Sequence, residues 1–398
     1  MTGSANPVWN RGDPIDAEVL KFTVGDDWML DRRLIPYDLR GSIAHVGGLC
    51  TAGLLTEAER AELVRGLERL LAAHAAGTFT VEEHDEDVHS AVERRLAGEV
   101  GELAKKLHTA RSRNEQVAVD VLLWLRDAID ATSAAVRDLR AALGACAAKS
   151  GRLPIPGYTH LRRAMPSTVE AFLAAHARAL ELDLADLDHA RARAASCPLG
   201  SGAGYGVPVD LPRDAVANSL GFADAARPVT HVQHGRGRAE LAYLTALESI
   251  ALDVGKLAED LWLFSTTEFG FVKLPAAATT GSSLMPQKRN PDVLELTRAH
   301  ARQLLVDREA VLAVVRDLPS GYHRDFQLLK PPLFRAHDRA LAILRVMAHV
   351  APGLEFDAEA LARAASDPAL LATARVLDRV KAGTPFRDAY RDEAKSSG

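Results

Sequence analysis

At 398 residues, 47% of them hydrophobic, the chain can bury a large core and hold more than one domain. A formal net charge of −5 gives no electrostatic case for nucleic acid or an anionic membrane, and no run approaches the ~18 apolar residues that span a bilayer. Aromatics at 5%, with Ala and Leu plentiful, suit a predominantly helical soluble protein.

The opening residues, Met1-Thr2-Gly3-Ser4-Ala5-Asn6, lack a basic segment followed by an apolar one, so a cytoplasmic location is expected. Residues 1–105 read as an N-terminal helical domain. Within it Thr56-Glu57-Ala58-Glu59 has the form of a capping box ahead of Leu63, Leu67 and Leu70. Residues 85–96 form another short helix with an acidic start, on which His89 alone is an ordinary capping or surface histidine. Residues 106–350 read as a central long-helix domain. It opens on the polar run Leu107–Gln116, before a face of Val117, Val121, Leu125 and Ala128. Arg111 and Arg113, beside Ser112 and Asn114 at a helix start, suit a carboxylate clamp, and a solvated helix start would read the same. Prolines and glycine between Pro154 and Pro166 break the helix, placing His160 in an interhelix segment, and Ser167 with Glu170 predicts a capping box for the next one.

Cys197–Gly206 is a Gly-rich loop. No strand precedes it and no Lys-Ser/Thr pair closes it, so close approach to a ligand or neighbouring helix is expected rather than phosphate binding. Leu244, Leu247, Ile250, Val254, Leu257, Leu261 and Phe264 sustain one helical face over many turns. Gly281-Ser282-Ser283-Leu284-Met285-Pro286-Gln287-Lys288-Arg289-Asn290-Pro291-Asp292 then runs from a loop into a helix start, with Asn290 as N-cap and Pro291 at the first helical position. Its hydroxyls, amide and ammonium meet a helix N-terminus, a place suited to a carboxylate. A further helix spans Leu333 to Val350, and residues 351–398 form a short C-terminal helical domain. With no β pattern apparent, the expected fold is all-α: a long central helix bundle flanked by smaller helical domains. Cys50, Cys146 and Cys197, odd in number and widely spaced, predict neither disulfides nor a metal site and are expected as buried thiols.

Taken with 34–45, 108–116, 157–166, 198–203, 268–295 and 322–330, the 281–292 string resembles the argininosuccinate lyase family of the fumarase/aspartase superfamily. The resemblance runs from about Phe22 to Tyr390. It implies a reversible β-elimination that cleaves a C–N bond of a small-molecule substrate and releases fumarate, with no metal or organic cofactor. It further implies a homotetramer whose active sites are each built from three subunits. Ser282 then matches the base, His160 a histidine associated with proton transfer, and Glu295 the carboxylate that orients it. Lys288 supplies positive charge, and the resemblance leaves open which group is the acid. Ser112, Arg113, Asn114 and Thr159 match residues holding the fumarate-forming half. Asn290 matches a residue of the positive surroundings of the base, and His89, Tyr322, Gln327 and Lys330 match further substrate contacts.

The chain departs from the family pattern at Ala110, Glu115, Arg162, Met165, Arg289, Leu328-Leu329 and the segment His231–Arg238, and its C-terminal domain reads as short. The machinery for fumarate is thus intact while the surroundings of the leaving amine are altered; arginine is the expected second product, and Leu328-Leu329 in place of an acidic pair motivates another amine as the alternative. A catalytically silent, crystallin-like structural protein is a third reading, against which the retained Ser282, His160, Lys288 and Glu295 speak.

Overall fold

The computed structural model describes residues 16–396, most of them helical. In chain order come α1 (Ala17–Val24), α2 (Asp27–Leu30), α3 (Ile35–Thr51), α4 (Glu57–Ala75), α5 (Val88–Val100) and the long α6 (Arg113–Ser150). β1 (Pro154–Thr159) and β2 (Arg162–Thr168) lead to α7 (Val169–Arg193), and β3 (Ser196–Cys197), α8 (Arg213–Ser219), β4 (Asp224–Ala225), α9 (His231–His234) and α10 (Arg238–Phe264) follow. Then come β5 (Val272–Lys273), β6 (Thr280–Gly281), β7 (Arg289–Asn290), α11 (Asp292–Val315) and α12 (Lys330–Val350). The last elements are β8 (Glu355–Phe356), α13 (Ala358–Ala365), α14 (Ala372–Lys381) and α15 (Phe386–Ser396). The fold class is all-α, as the sequence predicts.

Two compact units divide the chain. The first takes the residues up to Asp130, with 187–245 and 307–336. Its α3, α4 and α5 bury Leu39, Val46, Leu63, Leu67, Val92 and Leu96 against one another, each such side chain contributing roughly 2 kcal/mol. The capping box of α4 forms as predicted, with Thr56 and Glu59 satisfying each other's backbone N–H. A second cluster joins Val119 and Leu123 of α6 to Cys197, Leu199, Val216 and Phe222. Trp124 packs edge-on against Phe334 at 4.6 Å.

The second unit takes 131–186, 246–306 and the residues from His337 onward. Leu247, Ile250, Val254, Leu257 and Leu261 of α10 are buried there, as their spacing predicts, with Ile343, Leu344 and Met347 of α12. Tyr158, Phe172, Phe264, Phe269 and Phe271 form an aromatic cluster, with Phe269 meeting Phe271 edge-on at 5.2 Å.

Four local expectations are corrected. Residues 154–168 are an antiparallel hairpin with a bulge between Pro156 and Tyr158, not an irregular break. The prolines sit where no cross-strand N–H bond is needed, or at the bulge, which strands tolerate. The cap of α7 is Thr168, whose Oγ1 accepts from Ala171 N at 3.1 Å, rather than Ser167. α11 begins at Asp292, one residue later than predicted, because Asn290 is drawn into pairing with Thr280. All three cysteines are free, Cys146 and Cys197 buried, but Cys50 is only partly so, its thiol donating to Glu57 at 3.3 Å.

Candidate active site

In the first unit, the start of α6 is shaped by a reciprocal arrangement. Ser112 Oγ accepts from Asn114 N at 3.2 Å, and Glu115 Oε1 accepts from Ser112 N at 3.2 Å. The other carboxylate oxygen of Glu115 accepts from Ser201 N at 2.7 Å and Gly202 N at 3.0 Å. The Gly-rich loop thus does approach a neighbouring helix closely, and the anion in its amide cradle is the protein's own carboxylate. Burial raises the Glu115 pKa despite these N–H donors.

Six of the predicted contact residues, His89, Arg113, Asn114, Tyr322, Gln327 and Lys330, line one cleft of this unit. Asp27, Asp31, Glu86 and Asp87 line it too. Most of its polar groups are already engaged. Arg113 donates to Asp87 at 2.9 Å and to Ser90 Oγ at 2.8 Å. Gln327 donates to the Thr23 and Val24 carbonyls at 3.1 and 2.9 Å and accepts from Arg324 at 3.0 Å. Lys330, fully enclosed, pairs with Asp31 at 2.6 Å and Asp27 at 2.8 Å. Burial would lower the Lys330 pKa, but these two carboxylates outweigh it and raise it. Burial pushes Asp27 up to about 6, with Lys330 opposing and Asp31 adding to the rise.

Behind this cleft His89 is buried, its Nδ1 2.6 Å from Asp38 and 3.8 Å from Asp120. Burial disfavours its cation, yet Asp38, Asp87 and Asp31 raise its pKa. Burial would raise Asp38, but His89 and Arg111 hold it below its ordinary value. Asp120, whose carboxylate oxygens have no hydrogen-bond partner, is driven well upward by burial and by Asp38 and Asp31. Asp38, His89 and Asp120 offer ligand atoms within 4.8 Å of one another. A contact of 2.6 Å between His89 and Asp38 suits a shared proton, not two ligands spanning an ion with bonds of about 2.0–2.2 Å. Asp27, Asp31, Asp38 and Asp120 were not singled out from sequence. Asp31 and Asp38 fall beside or inside the 34–45 stretch, but their partners lie far away in the chain.

In the second unit Thr159 ends β1, and His160 and Leu161 form the hairpin turn. Both turn residues take positive φ, 54° and 57°, a left-handed conformation that side-chain-bearing residues adopt at a cost of about 1–2 kcal/mol each. His160 is thereby presented exposed at the hairpin tip. The 281–292 string is pinned at its neck by pairing of Thr280 with Asn290 and Gly281 with Arg289. A hydrogen bond from Thr280 to Asp292 reinforces that neck. Beyond it Ser283–Arg289 stand exposed, Lys288 included, with Leu284 84% accessible. Ser282 Oγ accepts from Met285 N at 3.0 Å and Leu284 N at 3.3 Å. Two backbone N–H groups therefore point at the oxygen that would carry negative charge in a base. Glu295 accepts from Trp262 Nε1 at 3.1 Å, and Arg298 stacks on the same indole at 4.3 Å. Among the described residues no hydrogen bond or ion pair joins Glu295 to His160.

A family model described as lyase matches residues 14–305. An argininosuccinate lyase of Sorangium cellulosum is 46% identical over 97% of this chain and 90% of its own length. One of Thermotoga neapolitana is 39% identical over 98% of both. Among solved structures, EDDS lyase in complex with formate superposes with a TM-score of 0.83 at 26% identity, covering 96% of this chain and 76% of that one. The class II fumarase of Schistosoma mansoni, at 14% identity, matches in fold with a TM-score of 0.79 over 94% and 90%.

Proposed function

The chain belongs to the argininosuccinate lyase family, and on that premise we propose that it cleaves N-(L-arginino)succinate to fumarate and L-arginine. The observation in the molecule that best supports the chemistry is Ser282 Oγ beneath the Leu284 and Met285 N–H groups. A neutral serine is far too weak to take a proton from carbon. Amide donors aimed at the oxygen, with the Lys288 ammonium on the same loop, favour its alkoxide.

The steps follow from the charges. Ser282 removes the proton from the succinyl carbon next to a carboxylate, and the electron pair delocalises into that carboxylate. The pair then forms the new C=C bond as the C–N bond breaks, and a proton passes to the departing nitrogen, so that fumarate and arginine leave. Ser112, Arg113, Asn114 and Thr159 hold the fumarate-forming half, with Asn290 beside the base. His160, positioned by Glu295, takes part in proton transfer, and His89, Tyr322, Gln327 and Lys330 complete the substrate's surroundings. The enzyme works as a cytoplasmic homotetramer with each site assembled from three subunits. The engaged state of Arg113, Gln327 and Lys330 suits that reading, since residues already fixed by the chain can frame a site completed from elsewhere.

Incubating the purified protein with argininosuccinate and following fumarate by ultraviolet absorbance tests the activity. Ser282→Ala is expected to lose at least ~1,000-fold in kcat with assembly intact. Near-normal turnover by that variant would remove Ser282 as the base. Turnover of a different N-substituted aspartate, but not argininosuccinate, would overturn the substrate.

A further inference from the structure

Five basic side chains line the cleft of the first unit: His89, Arg113, Arg236, Arg324 and Lys330. Four are neutralised from within. His89 faces Asp38, Arg113 pairs with Asp87, Arg324 lies 3.6 Å from Glu86, and Lys330 is held by Asp27 and Asp31. Arg236 alone of the five has no carboxylate partner among the described residues. It is only 9% exposed, and its Nη1 is buried with no hydrogen-bond partner. An uncompensated buried guanidinium is among the costlier things a fold can contain.

The chain nevertheless holds Arg236 firmly. It sits in the turn between α9 and α10, flanked by Gly235 and Gly237. A Cβ on Gly235 would come within 2.9 Å of the His231 carbonyl oxygen. Gly237 takes φ +79°, and a Cβ there would collide with Val315. The guanidinium lies over the Phe326 ring, 5.1 Å from its centroid, which fixes its plane but supplies only part of a counter-charge. Arg236 falls within the His231–Arg238 segment, where the sequence departs from the family pattern, so no role comes to it from the resemblance.

We propose that Arg236 is a substrate-binding residue whose unfilled donors receive a carboxylate of the substrate. A planar guanidinium with an open edge offers the two parallel N–H groups that a carboxylate accepts. Desolvation in the cleft makes that pairing stronger than an exposed one. The carboxylate comes from the succinyl half or from the α-carboxylate of the amine half. The assignment of halves rests on the lyase reading above; the carboxylate site itself does not.

Succinate and L-arginine, titrated separately by calorimetry into the wild-type tetramer and into Arg236→Gln and Arg236→Lys, test this. For one of the two ligands, Kd is expected to rise roughly 10- to 100-fold in Arg236→Gln and less in Arg236→Lys, with the other unchanged. A succinate effect places Arg236 at the succinyl half, an arginine effect at the amine half. Should the Gln variant fail to fold, the Lys variant carries the comparison, because it keeps the charge and loses the fork. Unchanged affinity for both ligands in a folded variant overturns the proposal, as does a wild-type protein that binds neither. Loss of assembly with unchanged affinities also overturns it, and would make the guanidinium's partner another subunit. If wild-type protein does not turn over argininosuccinate but binds succinate through Arg236, the lyase reading fails and the carboxylate site stands.

Discussion

For buried ionisable residues in this protein, enclosure acts first on the proton and the charges packed alongside add to it or oppose it. Asp183 on α7 is a clear case outside the candidate site. It is 3% exposed, one of its oxygens has no partner, and burial with the nearby Asp253 and Asp186 pushes it up to about 7. Because that folded value lies above its ordinary 3.8, the native chain holds a proton that the unfolded chain has released. Stability from this group is therefore fully present below about pH 4 and is lost as pH rises toward 7, by at most ~4 kcal/mol. Urea unfolding across that window should show Asp183→Asn flattening the decline. An unaltered pH profile in the variant would mean that Asp183 is ionised and paired. Asp186 lies one turn away on α7 and is visible in the sequence, but Asp253 of α10 and the burial itself come only with packing. Lys330 was legible as a motif residue, but its pairing with Asp31, 299 positions away, was not.

Elements were legible where periodicity spoke and obscure where pairing decided. The apolar face of α10 and the capping box of α4 could be read directly, because each depends on residues within a turn or two. The β1–β2 hairpin could not. Pro154, Pro156, Gly157 and Pro166 look like breakers, and its turn residues, His160 and Leu161, carry none of the Asn-Gly signal that such a turn favours. The motif containing His160 was recognisable, but not the tight tip that presents it. The strain in that tip is testable. Leu161→Gly should relieve one left-handed residue and raise stability by about 0.5–1 kcal/mol, part of the gain being offset by the freer unfolded chain. A shift in thermal midpoint of the opposite sign would mean that the exposed Leu161 side chain makes a contact worth more than the strain.

At the scale of the whole molecule, the candidate residues were legible as motifs but not as a site, because a sequence does not say which copy of a motif meets which. If His160 and Ser282 of one site belong to different subunits, two inactive variants can repair each other. On the proposed shared-site tetramer, co-expressing Ser282→Ala with His160→Asn leaves each of the two positions intact in about half of the sites. About a quarter of wild-type turnover should then return. Absence of any recovery, with mixed tetramers verified by differential tagging, would place both residues of a site in one chain.

The pinned neck of the 281–292 string has a consequence for engineering. Its fastenings, the Thr280–Asn290 and Gly281–Arg289 pairings and the bond from Thr280 to Asp292, lie outside residues 282–288. That segment is built like a cassette: exchanging its interior for sequences of equal length is expected to leave its two ends clipped to the same frame. Libraries confined to 283–287 would vary what surrounds Ser282 without moving the hinge points of the insert.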